Sequence, residues 1–264
     1  MRTQERITVV KIGGHVIDEE QDLRYFLQSF ARLEGAKILV HGGGKLATQL
    51  AEQLQVPQQM IGGRRVTDEA TLKIITMVYA GYINKNIVAQ LQAQGCPAIG
   101  LCGADANLLQ ATKRTAAALD YGFVGDVEHV NRQALLQLLQ LGLSLVIAPV
   151  THDKQGQLLN TNADTIAREI ALALREDYQV SLLYCFEKNG VLLDVRDEDS
   201  AMESLDPVRL QQLISDKRVY EGMLPKMENA FAAASGGVQQ VQIGHWSRLA
   251  ELQAGISGTA IKSN

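Results

Sequence analysis

Short β-branched runs alternate along the chain with stretches whose apolar residues recur every three or four positions. Ile7-Thr8-Val9-Val10-Lys11-Ile12 predicts a buried strand closing in a tight turn at Gly13-Gly14. Asp18 is expected to open a helix, with Leu23, Phe26, Leu27 and Phe30 at helical spacing and Gly35 as its stop. Ile38-Leu39-Val40 predicts a second strand that runs into His41-Gly42-Gly43-Gly44, and 45–54 reads as the helix that follows. The alternation continues with a helix over 68–94, a strand over 98–102, a helix over 131–141 and a strand over 143–148. It resumes with helices over 161–174, 207–214, 225–234 and 248–252, and with strands over 180–184 and 238–243.

Such a succession predicts an α/β fold, a three-layer αβα sandwich around a mainly parallel central sheet. Glycines, charges and short apolar pieces between Gly103 and Val130 predict a β-hairpin-rich insertion. No internal repeat or low-complexity linker marks a boundary. Two lobes sharing one sheet are therefore expected, over residues 1–174 and 175–264.

Composition narrows the function classes. The 264 residues carry a formal net charge of -4 and no lysine or arginine block, which argues against a nucleic-acid partner held by bulk electrostatics. No apolar run reaches the roughly 18 residues of a membrane helix, so no membrane partner is expected. Met1 to Glu5 lacks a secretory apolar segment, and a cytoplasmic location is the expectation. Cys96, Cys102 and Cys185 form no C-x-x-C pair and the histidines show no ligand spacing, so no protein metal site is expected. An anionic ligand would have to be held by a few local cations, with Lys11, Arg64, Arg65, Lys85 and Lys226 the positions to watch.

Two successive strands end in glycine-rich turns, and the second feeds straight into a helix whose free N–H groups form an anion site. Neither turn matches the phosphate loop G-x-x-x-x-G-K-[ST] or the dinucleotide fingerprint G-x-G-x-x-G. His41-Gly42-Gly43-Gly44 also matches the oxyanion glycines of lipase-like hydrolases. That reading fails because no acid lies between Ser235 of Ala233-Ala234-Ser235-Gly236-Gly237 and the next histidine, His245. Asn160-Thr161-Asn162-Ala163-Asp164 reads as a helix start. Lys226, after Pro225, places a positive charge in a first turn, where it opposes the helix dipole; an exposed surface lysine is tolerable there, and an anion bound nearby would give it a reason to be there.

Lys11-Ile12-Gly13-Gly14, His41-Gly42-Gly43-Gly44, Gly63-Arg64-Arg65-Val66-Thr67, Asn160-Thr161-Asn162-Ala163-Asp164 and Gly222-Met223-Leu224-Pro225-Lys226, in this order and spacing, resemble the N-acetylglutamate kinases of the amino acid kinase superfamily. Ala80-Gly81 through Asn84-Lys85 and the ending Gly258-Thr259-Ala260-Ile261 fit as well. The resemblance spans nearly the whole chain and implies transfer of the γ-phosphoryl of ATP, with Mg²⁺, to the side-chain carboxylate of an N-acylated glutamate. It leaves N-acetyl and N-succinyl acceptors open. A non-catalytic regulatory subunit of the same fold is the alternative class.

By the same resemblance Lys11 and Lys226 contact the transferring phosphoryl and Asp164 orients both. Gly43, Gly44, Arg65, Asn160 and Asn162 bind the acceptor; Gly13, Gly14, Glu187, Gly190, Gly222 and Met223 bind the nucleotide. Residues 1–174 would then hold the acceptor and the dimer interface, and 175–264 the ATP. Glu187-Lys188-Asn189-Gly190 departs from the family's common Asp-Val-x-Gly. The chain also begins directly on its first strand, without the helix that precedes it in arginine-inhibited hexameric relatives, so a homodimer without arginine feedback is implied.

Overall fold

Residues 4–61, 64–115, 119–194, 196–216 and 223–263 are described by the computed structural model. In chain order they form β1 (Arg6–Ile12), α1 (Gly14–Asp18), α2 (Glu20–Arg32), β2 (Ala36–His41), α3 (Gly44–Gln53), β3 (Gln59–Ile61), β4 (Arg64–Val66) and α4 (Glu69–Ile75). A π-helical stretch (Thr76–Ile83) joins α4 to α5 (Asn84–Ala93), followed by β5 (Ala98–Leu101), β6 (Leu109–Lys113), β7 (Gly125–Val130), α6 (Arg132–Gln140), β8 (Ser144–Ile147), β9 (Val150–His152) and β10 (Leu158–Asn160). The remainder is α7 (Ala163–Leu174), β11 (Gln179–Phe186), β12 (Ser204–Leu205), α8 (Pro207–Ser215), α9 (Leu224–Ser235), β13 (Gln240–His245), α10 (Leu249–Ala254) and β14 (Thr259–Ile261).

Eight strands make the central sheet in the order β12-β14-β13-β11-β1-β2-β8-β5. All its pairings are parallel except that between β13 and β14. Because side chains of a strand alternate between faces, the apolar runs are divided between two cores. Val9, Ile38, Ile147 and Leu182 face a cluster completed by α6, α7 and α9. Their neighbours Val10, Leu39, Val146 and Leu183 face another, completed by α2, α3, α5 and α10. Near-continuous hydrophobic runs are what a sheet covered on both faces requires, and the expected αβα sandwich is the architecture observed.

Two differences from the sequence-based expectation have local causes. Asp18 ends a short helix instead of opening the long one, because the chain turns helical directly at Gly14 to bury Val16 and Ile17; α2 starts at Glu20. The hairpin-rich insertion is larger than 103–130. β6 and β7 pair antiparallel as expected, but β9 and β10 form a second hairpin that joins them in a four-stranded sheet. A further hairpin, β3–β4, carries Arg65.

Candidate active site

Lys11 lies two residues beyond Val9 on β1 and therefore leaves the sheet on the face covered by α7 and α9. Each of those helices begins beside it. Asn162 caps α7 by accepting from the N–H groups of Asp164 at 2.7 Å and Thr165 at 3.3 Å, which sets Asp164 in the first turn, where the helix dipole favours a carboxylate. Pro225 starts α9 and puts Lys226 in its first turn.

The three charges meet. Lys11 Nζ lies 2.8 Å from Asp164 Oδ1, and Lys226 Nζ lies 3.5 Å from the same oxygen. The two ammonium groups thus share one carboxylate oxygen and can be no farther apart than the sum of those distances. All three residues are at least nine-tenths buried. Burial by itself would raise the pKa of Asp164, but the neighbouring Lys11 and Lys226 charges overcome it and hold the carboxyl at about 2. Lys226 is lowered from the ordinary lysine value, by burial first and by repulsion from Lys11, with Asp164 opposing. Its ammonium also rests 5.7 Å from the ring centroids of Tyr184 and Phe186, whose faces offset part of the desolvation cost. Tyr184, paired in register with Lys11, donates its hydroxyl to the Asp164 carbonyl at 3.1 Å and fixes the start of α7. Cys185 lies close behind and is chemically inert: burial pushes its thiol up to about 12, against the lowering effect of both lysines.

The glycine turns lie against each other at the carboxyl ends of β1 and β2. A Cβ on Gly42 would sit 3.6 Å from Gly14 N, and one on Gly14 would sit 3.8 Å from Gly44 N. Gly43 has φ +143°, and an added Cβ would come within 2.2 Å of Ile83 Cδ1, so only glycine fits here. Beside these turns opens a cavity of about 280 Å³ whose walls include Gly14, Gly43, Gly44, Arg65, Asn160 and Asn162. Every acceptor residue expected from the sequence is on that wall. Arg65 reaches it from β4, donating to Gln58 Oε1, to Gly44 O at 2.9 Å and to Thr48 Oγ1 at 2.9 Å. Asn160 donates to Thr67 Oγ1 at 3.0 Å.

The expected nucleotide residues are more scattered. Gly13 precedes α1, and Gly14 opens onto the cavity. Glu187 is exposed at the end of β11, near enough for its charge to act on Lys226 and His245. Gly190 is buried against Thr259, whose Oγ1 would lie 2.6 Å from a Cβ there and accepts from Val191 N. Met223 packs into the core on the α7 face and precedes α9. Gly222 lies outside the described residues, as does Gly63.

Tyr79 and Arg114 also line the cavity, although neither stood out in the sequence. Arg114 Nε donates at 3.1 Å to both carboxylate oxygens of Asp126 across the β6–β7 hairpin. Tyr79 directly precedes the motif that runs from Ala80 to Lys85. Its position depends on the π-helical stretch, which is not readable from periodicity.

The profile of the amino acid kinase family matches residues 6–245. An acetylglutamate kinase of Parabacteroides distasonis is 52% identical over 239 residues, covering 90% of this chain and 94% of that protein. Another, of Phocaeicola vulgatus, is 49% identical over 259 residues, covering 98% and 99%. Among solved structures, a protein of Streptococcus mutans UA159 superposes with a TM-score of 0.80 at 27% identity, covering 98% of this chain and 99% of that one. With a full-length match in sequence and fold, and with the glycine turns and charged triad in place, the chain belongs to the amino acid kinase family and, within it, to the acetylglutamate kinases.

Proposed function

We propose that this chain transfers the γ-phosphoryl of ATP to the side-chain carboxylate of N-acetyl-L-glutamate, a step of arginine biosynthesis. The observation that carries the reading is the convergence of Lys11 and Lys226 on one oxygen of Asp164 beside the glycine-lined cavity. A glutamate side chain has an ordinary pKa of about 4.3, so the acceptor arrives ionised and needs no base. Its oxygen attacks the γ-phosphorus, the bond to the β-phosphate oxygen breaks, and ADP leaves an acyl phosphate behind. The barrier is repulsion between two anions, and the protein's task is alignment and charge stabilisation. Lys11 and Lys226 supply the charge from two elements. Asp164 keeps both ammonium groups aimed.

In this reading the backbone of Gly43 and Gly44, with Arg65, Asn160 and Asn162, holds the acceptor in lobe 1–174. The nucleotide-binding roles expected of Gly13, Gly14, Glu187, Gly190, Gly222 and Met223 go with ATP held by lobe 175–264. Among the described residues no group of three or more His, Cys, Asp or Glu could hold a metal. In this reading Mg²⁺ would come with ATP and, when bound, would neutralise phosphate charge. A homodimer formed through the first lobe completes the proposal. No helix among the described residues is long and apolar enough to cross a membrane.

An ADP-release assay tests this with N-acetylglutamate, N-succinylglutamate, glutamate, aspartate and UMP. Turnover with N-acetylglutamate at the highest kcat/KM is expected. N-succinylglutamate is the second arm because Arg114 gives the cavity a second guanidinium. Absence of ADP release with every acceptor would favour the regulatory subunit.

Arg65→Ala is expected to raise KM for the acceptor about 10- to 100-fold, the loss of one charge-assisted contact to a carboxylate. Two of its donors already bind Gly44 O and Thr48 Oγ1, so kcat should also fall, by less. Steady-state kinetics with varied acceptor separate the two effects.

A further inference from the structure

Behind the Gly42–Gly44 turn lies a buried polar chain that the transfer chemistry does not use. His41, the last residue of β2, is wholly buried, and its Nδ1 is 2.9 Å from the carbonyl oxygen of Gly42. A carbonyl only accepts, so Nδ1 carries the proton. On the other side Nε2 lies 3.2 Å from the Asn84 amide nitrogen. The orientation of that amide is fixed by its other partners: Nδ2 donates to Val146 O at 3.0 Å, and Oδ1 accepts from Lys85 Nζ at 3.0 Å. A flipped amide would oppose oxygen to oxygen and donor to donor. Lys85 is in turn tied to Gly100 O at 2.7 Å.

Two further features serve this chain. A Cβ on Gly100 would lie 2.0 Å from Asn84 Oδ1, so β5 leaves room for the amide only by having glycine there. In a regular α-helix, turning roughly 100° per residue, Asn84 would point some 140° away from Tyr79. The π-helical stretch over Thr76–Ile83 widens the turn so that Tyr79, Ile83 and Asn84 all reach the glycine turn or its histidine.

We propose that His41 is a positioning residue for phosphoryl transfer: Asn84 holds it as the neutral Nδ1–H tautomer, and in that form it clamps the Gly42 carbonyl and so fixes Gly43 and Gly44 on the cavity wall. The inference rests on the phosphotransfer reading, which the wild-type assay tests on its own. Burial first, with Lys85 assisting and the Gly42 hydrogen bond opposing, lowers the His41 pKa to about 4, in keeping with a neutral ring at physiological pH. Lys85 is the charged group acting on the ring.

Asn84→Asp tests the clamp with an isosteric change. The new carboxylate cannot donate to Nε2. It favours the imidazolium at low pH, which still donates to Gly42. As pH rises the ring loses a proton and keeps the one facing the carboxylate, so the Gly42 bond is lost. The ratio of variant to wild-type kcat should therefore drop at least tenfold between about pH 6 and about pH 9, with acceptor KM changing less and circular dichroism unchanged. A variant profile parallel to that of the wild type overturns the proposal. Nitrogen-15 NMR of histidine-labelled wild type decides independently should the variant fail to fold. The expected result is a His41 ring protonated at Nδ1 and not titrating above about pH 6; an Nε2–H tautomer, or titration near 6.5, overturns it.

Discussion

Lys11→Ala should lower kcat by about 10²- to 10³-fold, with KM for the acceptor within a few-fold of wild type. Negative charge on the transferring phosphoryl group must be met by groups already in place, because reorganising solvent in a buried site is costly. Lys11 is such a group: it is buried, ion-paired and anchored on the central β1. The same substitution at Lys226 is expected to give a loss of similar size. Because both ammonium groups act on one centre and share Asp164, the double variant should lose less than the product of the single losses. Single-turnover kinetics at saturating ATP give the measurement. A kcat for Lys11→Ala within threefold of wild type would remove Lys11 from the reaction. Unfolding is a weak rival explanation, because the truncation leaves Asp164 still paired with Lys226.

The framework of this site is legible in the sequence because its parts obey local rules. β1 and β2 announce themselves as β-branched runs closed by glycines, and α7 and α9 by an asparagine cap and a proline at their first turns. Lys11, Asp164 and Lys226 each sit at such a boundary. What periodicity does not carry is long-range pairing. β3, β9, β10 and β14 have three residues each and β12 has two, too few to display an alternation. Arg114 enters the cavity only because β6 and β7 pair Thr112 with Asp126, and Gln58 meets Arg65 only because β3 and β4 fold back. The bond between Asn84 and His41 spans 43 residues and depends on a π-helical stretch, which the apolar pattern of 68–94 reads as one ordinary helix. The Asp18 misreading has the same origin in reverse. A capping residue type was present, while burial of Val16 and Ile17 decided where the chain turned.

Asp164→Ala is expected to reduce unfolding stability at pH 7 by about 3–5 kcal/mol, the cost of leaving buried charges without a partner. Here two ammonium groups lose the same carboxylate. The pH dependence of the loss separates the charge from the packing. The folded pKa of Asp164 is depressed from 3.8 to about 2, so its contribution is complete above about pH 4 and disappears as pH falls from there to about 2. That displacement corresponds to roughly 2 kcal/mol, and the stability gap between wild type and variant should narrow by about that much across the window. Urea unfolding at a series of pH values measures it; a gap that stays constant between pH 5 and pH 2 would assign the whole effect to lost packing. ATP should stabilise the variant against heat by more than it stabilises the wild type. In the variant the phosphates would take the place of the lost carboxylate beside Lys11 and Lys226, whereas in the wild type they are added to a carboxylate that already neutralises half of that charge. An equal thermal shift in the two proteins would mean that the lysines do not face the nucleotide's phosphates.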